Sequence, residues 1–481
     1  MTMNIVLSII GIVLLAVIAV ALIRTLTLKP NSAAEAKVPQ SDPERAQAYG
    51  EKLGEMIRCE TISERDQEDR SKFYAYHEVL EKLFPHVFAA CEKHVFSGSL
   101  LLKWKGNSAE DAILLMSHQD VVEATGTWEH DPFCGEIIDG NVWGRGTVDT
   151  KGSQFCFLQA AEELITSGFV PEVDVYLAGS CTEEWSGDGA PATVQWLKDN
   201  GVKLSLVMDE GGMIMNEPIG GVRGMYAMVG VLEKGYGDVK FVAKGNGGHA
   251  SAPGKNTPWA RLAAFIQDAE KHNPFKVEFS PTVEEMFRQL APNMSFGMKL
   301  IFANLWLFKP LLKKLMKSIS PAGAAMLQTT LAFTMGKGSD GYNVIPQEAY
   351  VTGNMRFIPH QGTEESIKVI SELAKKYDIE TQVITADHPC PVVSYTSPQY
   401  RMIEEVVKEV YPGVGVSPYI MTGGTDAKYY KDICDNCLRF APLHINKQQY
   451  GSIHGLNENI SINVLPLGVD IYTKVIVRGG K

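Results

Sequence analysis

The sequence predicts an α/β protein whose central sheet is mostly parallel and carries helices on both faces. Short apolar runs bounded by turn residues, a pattern typical of buried strands, alternate with helical patterns along this part of the chain. Such alternation indicates parallel strands joined by crossover helices. The strand runs are Ile113–Met116, Val173–Leu177 and Leu204–Met208, and the helical segments between them are Gln154–Ser167 and Ala190–Asn200.

The N-terminal segment is predicted to anchor the chain in a membrane. Ile5–Ile23 is almost wholly apolar and has about the length of a helix that spans a bilayer. No basic stretch precedes it and Ser32–Ala36 is only a weak cleavage site, so an uncleaved anchor is favoured over a signal peptide. The side of the membrane stays open. Thr25–Asp42 is polar and contains prolines, which predicts a tether.

The pattern changes after Gly221. Further strands and helices there predict a small α+β domain inserted into the main one, to which the chain returns near Cys390. The predicted strands are Tyr226–Leu232, Val239–Ala243, Thr329–Thr334, Ala349–Phe357 and Glu380–Thr385, and the predicted helices are Trp259–Lys271 and Glu364–Tyr377. Before the first strand of the main domain, helices are predicted at Pro43–Cys59 and Ser71–Phe84.

An unusual apolar and lysine-rich segment, Phe287–Leu327, lies within the inserted domain. One interpretation is an amphipathic surface that touches lipid or an acyl substrate. The other is a helical subdomain that packs on the inserted domain and leaves its lysines in solvent. The second interpretation is favoured.

Composition limits the choice of partner. The 481 residues allow two domains or more with an ample core. The formal net charge of −11 argues against nucleic acid.

Acidic residues and a histidine follow the predicted strands, where ligands of such sheets collect. The chemistry-bearing residues are His118, Asp120, Asp149, Glu183, Glu184 and Asp209. This many carboxylates brought together would repel one another unless metal ions or protons neutralise them. Imidazole and carboxylate together suit zinc. A single acidic residue at a strand end is more often a helix cap or a solvated charge, but four such clusters in succession favour a metal site.

Several motifs in order give the chain a family resemblance. It resembles the co-catalytic zinc peptidases, the family of aminoacylase, carboxypeptidase G and succinyl-diaminopimelate desuccinylase. Within that family it is most similar to the subgroup of carboxypeptidase S, Gly-Xaa carboxypeptidase and the N-fatty-acyl-amino-acid hydrolases. The motifs are SHQDVV, GNVWGRGTVDTKG, TEEWSGDGA, MDEGG, GNGGHASAP, NVIP, GNMRFIP, GGTDAKYY and GSIHGLNE, and the likeness covers nearly everything after about Glu44.

The resemblance implies a site with two zinc ions per subunit, which Co²⁺ or Mn²⁺ could replace. Asp149 would bridge the ions, with His118 and Asp209 completing one site and Glu184 and His454 the other. Relatives usually have aspartate where this chain has Thr150, often after a cis peptide bond.

The resemblance also implies roles for residues that do not bind metal. Glu183 would be the general base and acid, and Asp120 would orient the ligating histidine. Arg356 and the Gly424 loop would hold a substrate carboxylate. His249 would stabilise the oxyanion from the inserted lid, reaching the partner's site in a homodimer.

The implied architecture is a zinc-peptidase catalytic domain with an inserted ferredoxin-like lid and dimerisation domain. The predicted divisions are an anchor at 1–24, a linker at 25–42, the catalytic domain at 43–221 and 388–481, and the lid at 222–387 with a helical insertion at about 283–327.

The predicted function is metal-dependent cleavage of an amide bond next to a free carboxylate, as a carboxypeptidase on short peptides. The first alternative is an N-acyl amino acid amidohydrolase, which would share every motif. Alternatives of another class are a catalytically silent metal-binding membrane scaffold and a membrane adaptor that uses Phe287–Leu327.

Overall fold

The computed structural model describes residues 2–65 and 67–480. The helices are α1 Thr2–Thr27, α2 Pro43–Ile57, α3 Ser71–Leu83, α4 Pro85–Ala90, α5 Lys151–Thr166, α6 Gly189–Asp199, α7 Pro258–Lys271, α8 Pro281–Leu290, α9 Phe296–Phe302, α10 Leu305–Ile319, α11 Pro321–Ala325, α12 Gly362–Lys375, α13 Pro398–Val410, α14 Lys447–Ser452 and α15 Val464–Arg478. The strands are β1 Glu92–Phe96, β2 Ser99–Trp104, β3 Ala112–His118, β4 Ile137–Ile138, β5 Asn141–Trp143, β6 Val175–Ser180, β7 Leu204–Asp209, β8 Ile214–Asn216, β9 Met225–Glu233, β10 Gly235–Lys244, β11 Gly248–His249, β12 Thr330–Lys337, β13 Val344–Ile345, β14 Glu348–Phe357, β15 Ile379–Ala386, β16 Gly415–Met421, β17 Cys437–Arg439, β18 His444–Ile445 and β19 Asn459–Ser461.

A ten-stranded sheet forms the centre of the main domain. Its order is β1-β2-β6-β3-β7-β17-β9-β8-β18, and β16 pairs with β9. The pairs at its centre, β6 with β3, β3 with β7 and β7 with β17, are parallel, which confirms the predicted mostly parallel sheet. The carboxyl ends of β3, β6 and β7 therefore meet at one edge, where ligands of such sheets bind.

Both faces of this sheet are buried, as the apolar strand sequences predict. On β3, Ile113 and Leu115 face a core built with α2, α5, α13 and α15. The alternate residues Leu114 and Met116 face a second core with α6, which contributes Leu197. Helices on both faces fix the positions of the strand ends, so side chains placed there are held on a rigid frame.

The lid has the predicted ferredoxin-like architecture. Its antiparallel sheet has the order β12-β14-β10-β15, and α7 and α12 follow the first and third strands in the chain. Phe241, Phe265 and Ile370 lie in the core between this sheet and its helices. The strand β14 alternates between exposed or half-buried and buried positions, as expected of a sheet covered on one face.

The lid begins later than the predicted boundary at Val222. Strand β9, Met225–Glu233, belongs to the large sheet, where it pairs in parallel with β16 and antiparallel with β8. Every residue of β9 is buried. This is typical of a strand covered on both faces, whereas the lid sheet is covered on one.

The helical insertion of the lid packs on the main domain. Helix α8 lies against β16, and its residues Val283, Met286 and Leu290 share a core with Tyr226 and Ile420 of the large sheet. The segment therefore packs on the main domain and also on the lid, whose residue Ile358 belongs to the same core. The apolar face of α8 covers the side of β9 and β16 that carries Tyr226 and Ile420.

The segment predicted as a tether is packed against the main domain. Ala33 is fully buried, and the backbone N–H of Asn31 donates to Asn293 Oδ1 at 3.1 Å. Near its end, Ser41 donates through its backbone N–H to Asn463 Oδ1 at 2.9 Å. These contacts give the polar segment partners that its composition does not reveal.

One helix among the described residues is long and apolar enough to cross a membrane, by length and composition. It covers Ile5–Thr27, and nearly all of it lies outside the protein core. A membrane anchor and a signal sequence both have this character.

Candidate metal centre

The sheet brings several of the predicted residues to one edge. His118 is the last residue of β3, and Asp209 is the last residue of β7. Glu183 and Glu184 lie in a short 3₁₀ turn that follows β6. These residues lie close together because β3 is parallel to both β6 and β7, so the three strands end at the same edge of the sheet.

One group of possible metal ligands is His118, Asp149 and Glu210, whose ligand atoms all lie within 4.8 Å of one another. His118 Nε2 lies 2.9 Å from Asp149 Oδ1 and 3.5 Å from Glu210 Oε1. His118 Nδ1 lies 2.8 Å from the backbone oxygen of Asp120, which orients the ring so that Nε2 faces the two carboxylates.

Asp209, the predicted ligand, lies outside this group, which contains its neighbour Glu210. Both Asp209 carboxylate oxygens accept backbone N–H groups, from Glu210 and from Ala427, each at 2.8 Å. Asp209 therefore ties the end of β7 to the loop that contains Ala427. Glu210 is one residue further on and directs its carboxylate to His118.

The second group is Asp149, Glu184 and His454. His454 Nε2 lies 3.1 Å from Asp149 Oδ2 and 3.0 Å from Glu184 Oε2. Asp149 thus presents one oxygen to each group, as its predicted bridging position requires. Glu184 Oε1 is buried and has no hydrogen-bond partner among the described residues. The peptide bond between Asp149 and Thr150 is cis.

Asp120 is fully buried beneath the turn that holds the two glutamates. Its carboxylate accepts the backbone N–H groups of Glu183 and Glu184, both at 3.2 Å, and the hydroxyl of Ser63 at 2.6 Å. It also lies 3.5 Å from His118 Nδ1. Asp120 therefore positions both the histidine and the turn.

The centre is rich in buried acids. Burial raises the pKa of Glu183 and Glu210 well above the usual glutamate value and raises that of Asp209 to about 7, and neighbouring carboxylates add to each shift. Asp426, which accepts a hydrogen bond from Ser180, has its pKa raised to about 6, mainly by burial. Such a set of acids fits a divalent cation, and the unpartnered Glu184 oxygen fits it as well.

A buried ion pair that sequence reasoning missed supports the centre. Glu458 Oε2 accepts from Arg145 Nη1 at 2.6 Å, and Glu458 Oε1 accepts the backbone N–H groups of Val148 and Asp149 at 2.8 and 3.1 Å. Arg145 also donates to the backbone oxygen of Gly455 at 2.7 Å. The only sequence signal was that Arg145 and Glu458 belong to two of the motifs.

A cavity of about 610 Å³ joins the metal centre to the predicted carboxylate site. Glu183, Glu184 and His454 line this cavity, and so do Arg356 and Gly424. The Arg356 guanidinium lies 4.7 Å from the centre of the Tyr236 ring. A Cβ atom placed on Gly424 would lie 3.9 Å from Arg356 Nη1, so these two residues are close neighbours.

The cavity also contains Lys234, which sequence reasoning did not single out. Its ammonium group donates to the backbone oxygens of Ala325 and Gln328 at 3.0 and 2.9 Å. Burial, with a smaller contribution from the charge of Arg356, lowers its pKa to about 7. Arg356 therefore has a second basic group beside it in the cavity wall.

His249 lies away from this cavity in the described part of the chain. It is exposed on strand β11 of the lid, where its Nδ1 lies 2.7 Å from Ser251 Oγ. Of the residues predicted for the site, the structure brings His118, Asp120, Asp149, Glu183, Glu184 and His454 together, adds Glu210 in place of Asp209, and keeps His249 apart.

Comparison with known families decides the identity of the chain. The model of peptidase family M20/M25/M40 matches residues 114–478. The chain belongs to this family. It is accordingly a hydrolase of a metallopeptidase family, as predicted.

Curated relatives support membership of the M20 family over nearly the whole length. An N-fatty-acyl-amino acid synthase/hydrolase PM20D1 of Xenopus tropicalis is 33% identical over 96% of this chain and 93% of its own. A probable carboxypeptidase S-like 2 of Dictyostelium discoideum is 31% identical over 91% of this chain and 85% of its own.

Solved structures share the fold of this M20 member. A metallo-carboxypeptidase of Sulfolobus solfataricus, Sso-CP2, superimposes with a TM-score of 0.62 at 18% identity, over 91% of this chain and 99% of its own. Human carnosine dipeptidase 1 superimposes with a TM-score of 0.61 at 14% identity, over 91% of this chain and 99% of its own.

Proposed function

We propose that this protein hydrolyses an amide bond next to a free carboxylate, releasing an amino acid from an acyl or aminoacyl group. The observation that carries this proposal is the shared cavity, which Glu183, Glu184 and His454 of the metal centre line together with Arg356. A substrate that places its carboxylate at Arg356 would hold the adjacent amide in the cavity that Glu183 and Glu184 also line.

The proposed cofactor is a pair of zinc ions, which Co²⁺ or Mn²⁺ could replace. His118, Asp149 and Glu210 would hold one ion, and Asp149, Glu184 and His454 the other. Bound metal supplies Lewis acidity and lowers the pKa of water to near neutrality. The two groups together offer two histidines and three carboxylates, with Asp149 common to both. This combination of ligands suits zinc.

Glu183 is the proposed proton carrier. It lines the cavity on the same turn as Glu184 and is held there by the bond from its N–H to Asp120. It would take a proton from the attacking water and deliver that proton to the leaving amine. Burial raises its pKa above the usual glutamate value.

Arg356 and Gly424 are the proposed anchor for the carboxylate. The planar guanidinium offers paired N–H donors that match a carboxylate. Stacking on Tyr236 keeps that plane fixed, and glycine at 424 leaves room beside it. Fixing the carboxylate sets which bond of the substrate reaches Glu183.

The acyl group divides the proposal into two substrate classes. Carboxypeptidases and N-acyl amino acid hydrolases share these motifs, so short peptides and N-acyl amino acids are both candidates. Among the N-acyl amino acids, those with a fatty acyl group are favoured. The reason is that the Xenopus relative, which is named for this activity, matches 96% of the chain.

The test is turnover of the zinc-loaded full chain on matched substrates that share one C-terminal amino acid. Dipeptides, N-acetyl amino acids and N-fatty-acyl amino acids form the panel, each measured with and without a chelator. We expect chelator-sensitive release of the amino acid from at least one class. A metal-loaded, folded protein that turns over no member would support the scaffold alternative instead.

We further propose that α1 anchors the protein in a membrane and that the lid forms a homodimer through which His249 reaches the partner's site. The apolar length of α1 supports the first statement. The exposed position of His249, away from its own cavity, supports the second. Mixing inactive Glu183→Gln and His249→Ala subunits should partly restore turnover, and no recovery despite subunit exchange would contradict the shared site.

A further inference from the structure

We infer that helix α10 and the residue before it, Asn304, form a second membrane contact that lies on the bilayer surface beside the end of α1. This inference rests on the membrane anchoring proposed above. The occupant of the surface is a lipid bilayer with anionic headgroups. Three observations carry it: the fixed joint between α1 and α10, the length of the apolar run, and the exposed side chains of α10.

Asn304 joins the two helices. It is fully buried, and its amide nitrogen donates to Ala21 O and Thr25 Oγ1 of α1, both at 3.1 Å. Its side-chain oxygen accepts the indole N–H of Trp306 at 3.3 Å. Ala21 and Thr25 are themselves buried by this contact. The start of α10 is therefore attached to one level of α1.

That level coincides with the expected edge of the hydrocarbon layer. The apolar run Ile5–Ile23 rises about 28 Å as a helix, which matches a hydrocarbon core of about 30 Å. Arg24 follows the run at once, and Ala21 and Thr25 lie on either side of this boundary. Because Asn304 binds both of them, α10 begins where lipid tails give way to headgroups.

The side chains near this boundary suit an interfacial helix. Trp306, Leu311 and Leu315 are 50, 52 and 43% exposed, although each is large and apolar. Leu307, Leu311 and Leu315 are four residues apart and so lie along one side of the helix. Tryptophan is enriched at the level of the headgroups, where its ring lies in apolar surroundings and its N–H finds a polar partner.

Basic groups accompany the apolar stripe. Lys313 and Lys314 are exposed on α10, Arg24 lies in the last turn of α1, and Lys29 lies two residues beyond that helix. Lysine and arginine near a membrane surface gain from contact with anionic headgroups. The chain as a whole carries a net charge of −11, so this basic and apolar patch differs from the remainder of the protein.

Another side of α10 packs against the rest of the protein. Leu305 and Leu312 are buried in the core shared with α8, and Lys309 pairs with Glu284 of α8. The exposed stripe is therefore held in a fixed orientation. A bilayer is the occupant that continues the environment of α1 without a break.

The test is quenching of tryptophan fluorescence by phospholipids with brominated acyl chains, which act on contact. The full chain is reconstituted in vesicles of phosphatidylcholine and phosphatidylglycerol, with or without bromine. Trp306 is one of seven tryptophans, so we expect bromine to remove roughly one seventh of the emission. Trp306→Phe should lose this quenching. Trp259→Phe is the matched control and should keep it, because Trp259 is similarly exposed, at 41%, but belongs to the lid and not to the proposed membrane contact.

A rescue and a flotation assay separate the outcomes. Leu311→Trp on the Trp306→Phe background should restore quenching, because Leu311 is 52% exposed and lies in the middle of the stripe that it forms with Leu307 and Leu315. Equal quenching in wild type and Trp306→Phe, or no quenching in a protein that floats with vesicles and resists alkaline extraction, would overturn the inference while leaving the anchor intact. Failure of the full chain to float would overturn the anchor and the inference together.

Discussion

Arg145 and Glu458 form a buried ion pair, 2.6 Å from Nη1 to Oε2, that connects the two loops of the metal centre. Glu458 accepts the backbone N–H of Asp149, and Arg145 donates to the backbone oxygen of Gly455, next to His454. Asp149 and His454 are thereby held at a fixed separation by residues that do not touch the proposed metal ions.

Removing one member of this pair should loosen the centre. Glu458→Gln keeps the shape but leaves the Arg145 charge buried without a counter-ion, which typically costs about 3–5 kcal/mol of stability. We expect a lower free energy of unfolding and weaker metal retention. In a double-mutant cycle with Arg145→Met, the double variant should lose less than the sum of the single variants. Strict additivity would mean that the two side chains act independently.

Glu183→Gln should retain metal and lose nearly all turnover. The substitution preserves size but removes the proton carrier, and general acid–base catalysis is typically worth about 10²–10⁴ in rate. Metal analysis beside kinetics checks this expectation. Glu123→Gln, an exposed glutamate close to His118 in sequence, is the matched control and should be unaffected. Near-normal turnover in Glu183→Gln would remove this residue from the mechanism.

Variants of Glu210 and Asp209 should differ in metal content. Glu210→Ala removes a carboxylate directed at His118 and should lose about one metal equivalent. Asp209→Asn should keep both ions more fully but unfold at lower temperature, because the amide group cannot accept both backbone N–H groups. Asp149→Ala should lose the most metal. If Asp209→Asn loses more metal than Glu210→Ala, Asp209 would be the ligand instead of Glu210.

His77 should make stability depend on pH. It is buried with its Nε2 2.9 Å from Gln119 Oε1, and burial lowers its pKa from 6.5 to about 4. Between these values the unfolded chain binds the proton more readily than the folded chain, so stability falls as pH decreases from 6.5 towards 4. The loss approaches about 3 kcal/mol.

The check for His77 is the difference in unfolding free energy between wild type and His77→Gln across this range. Glutamine does not titrate there, so the difference should shrink as the pH falls. Parallel curves for the two proteins would show that His77 does not carry the proton.

Sequence patterns predicted much of the fold because the spacing of apolar residues distinguishes strands from helices along most of the chain. The strand ends at His118 and Asp209 lie where expected, and the lid has the predicted architecture. Strand β9 was assigned to the lid by its place in the chain, although its nearly continuous apolar sequence is typical of a strand buried on both faces. Periodicity alone does not say which sheet a strand joins.

The remaining differences involve partners that are distant in sequence. Asp209 and Glu210 are adjacent acids, and the choice between them depends on the backbone N–H of Ala427, 218 residues away. Arg145 and Glu458 are 313 residues apart. The supposed tether acquires partners in the same way, through Asn293 and Asn463. Such contacts exist only in the folded chain.

The central claim is that Arg356 binds the carboxylate of the substrate whose amide is cleaved. The most direct measurement is kcat/KM for an N-acyl amino acid and for its C-terminal carboxamide, in wild type, in Arg356→Ala and in the control Arg401→Ala, an exposed arginine of α13. Wild type and control should prefer the free acid by roughly 10–100-fold, the value of a charge-assisted contact, and Arg356→Ala should cut both substrates equally slowly. Equal rates on acid and amide in wild type, or an undiminished preference in Arg356→Ala, would contradict it.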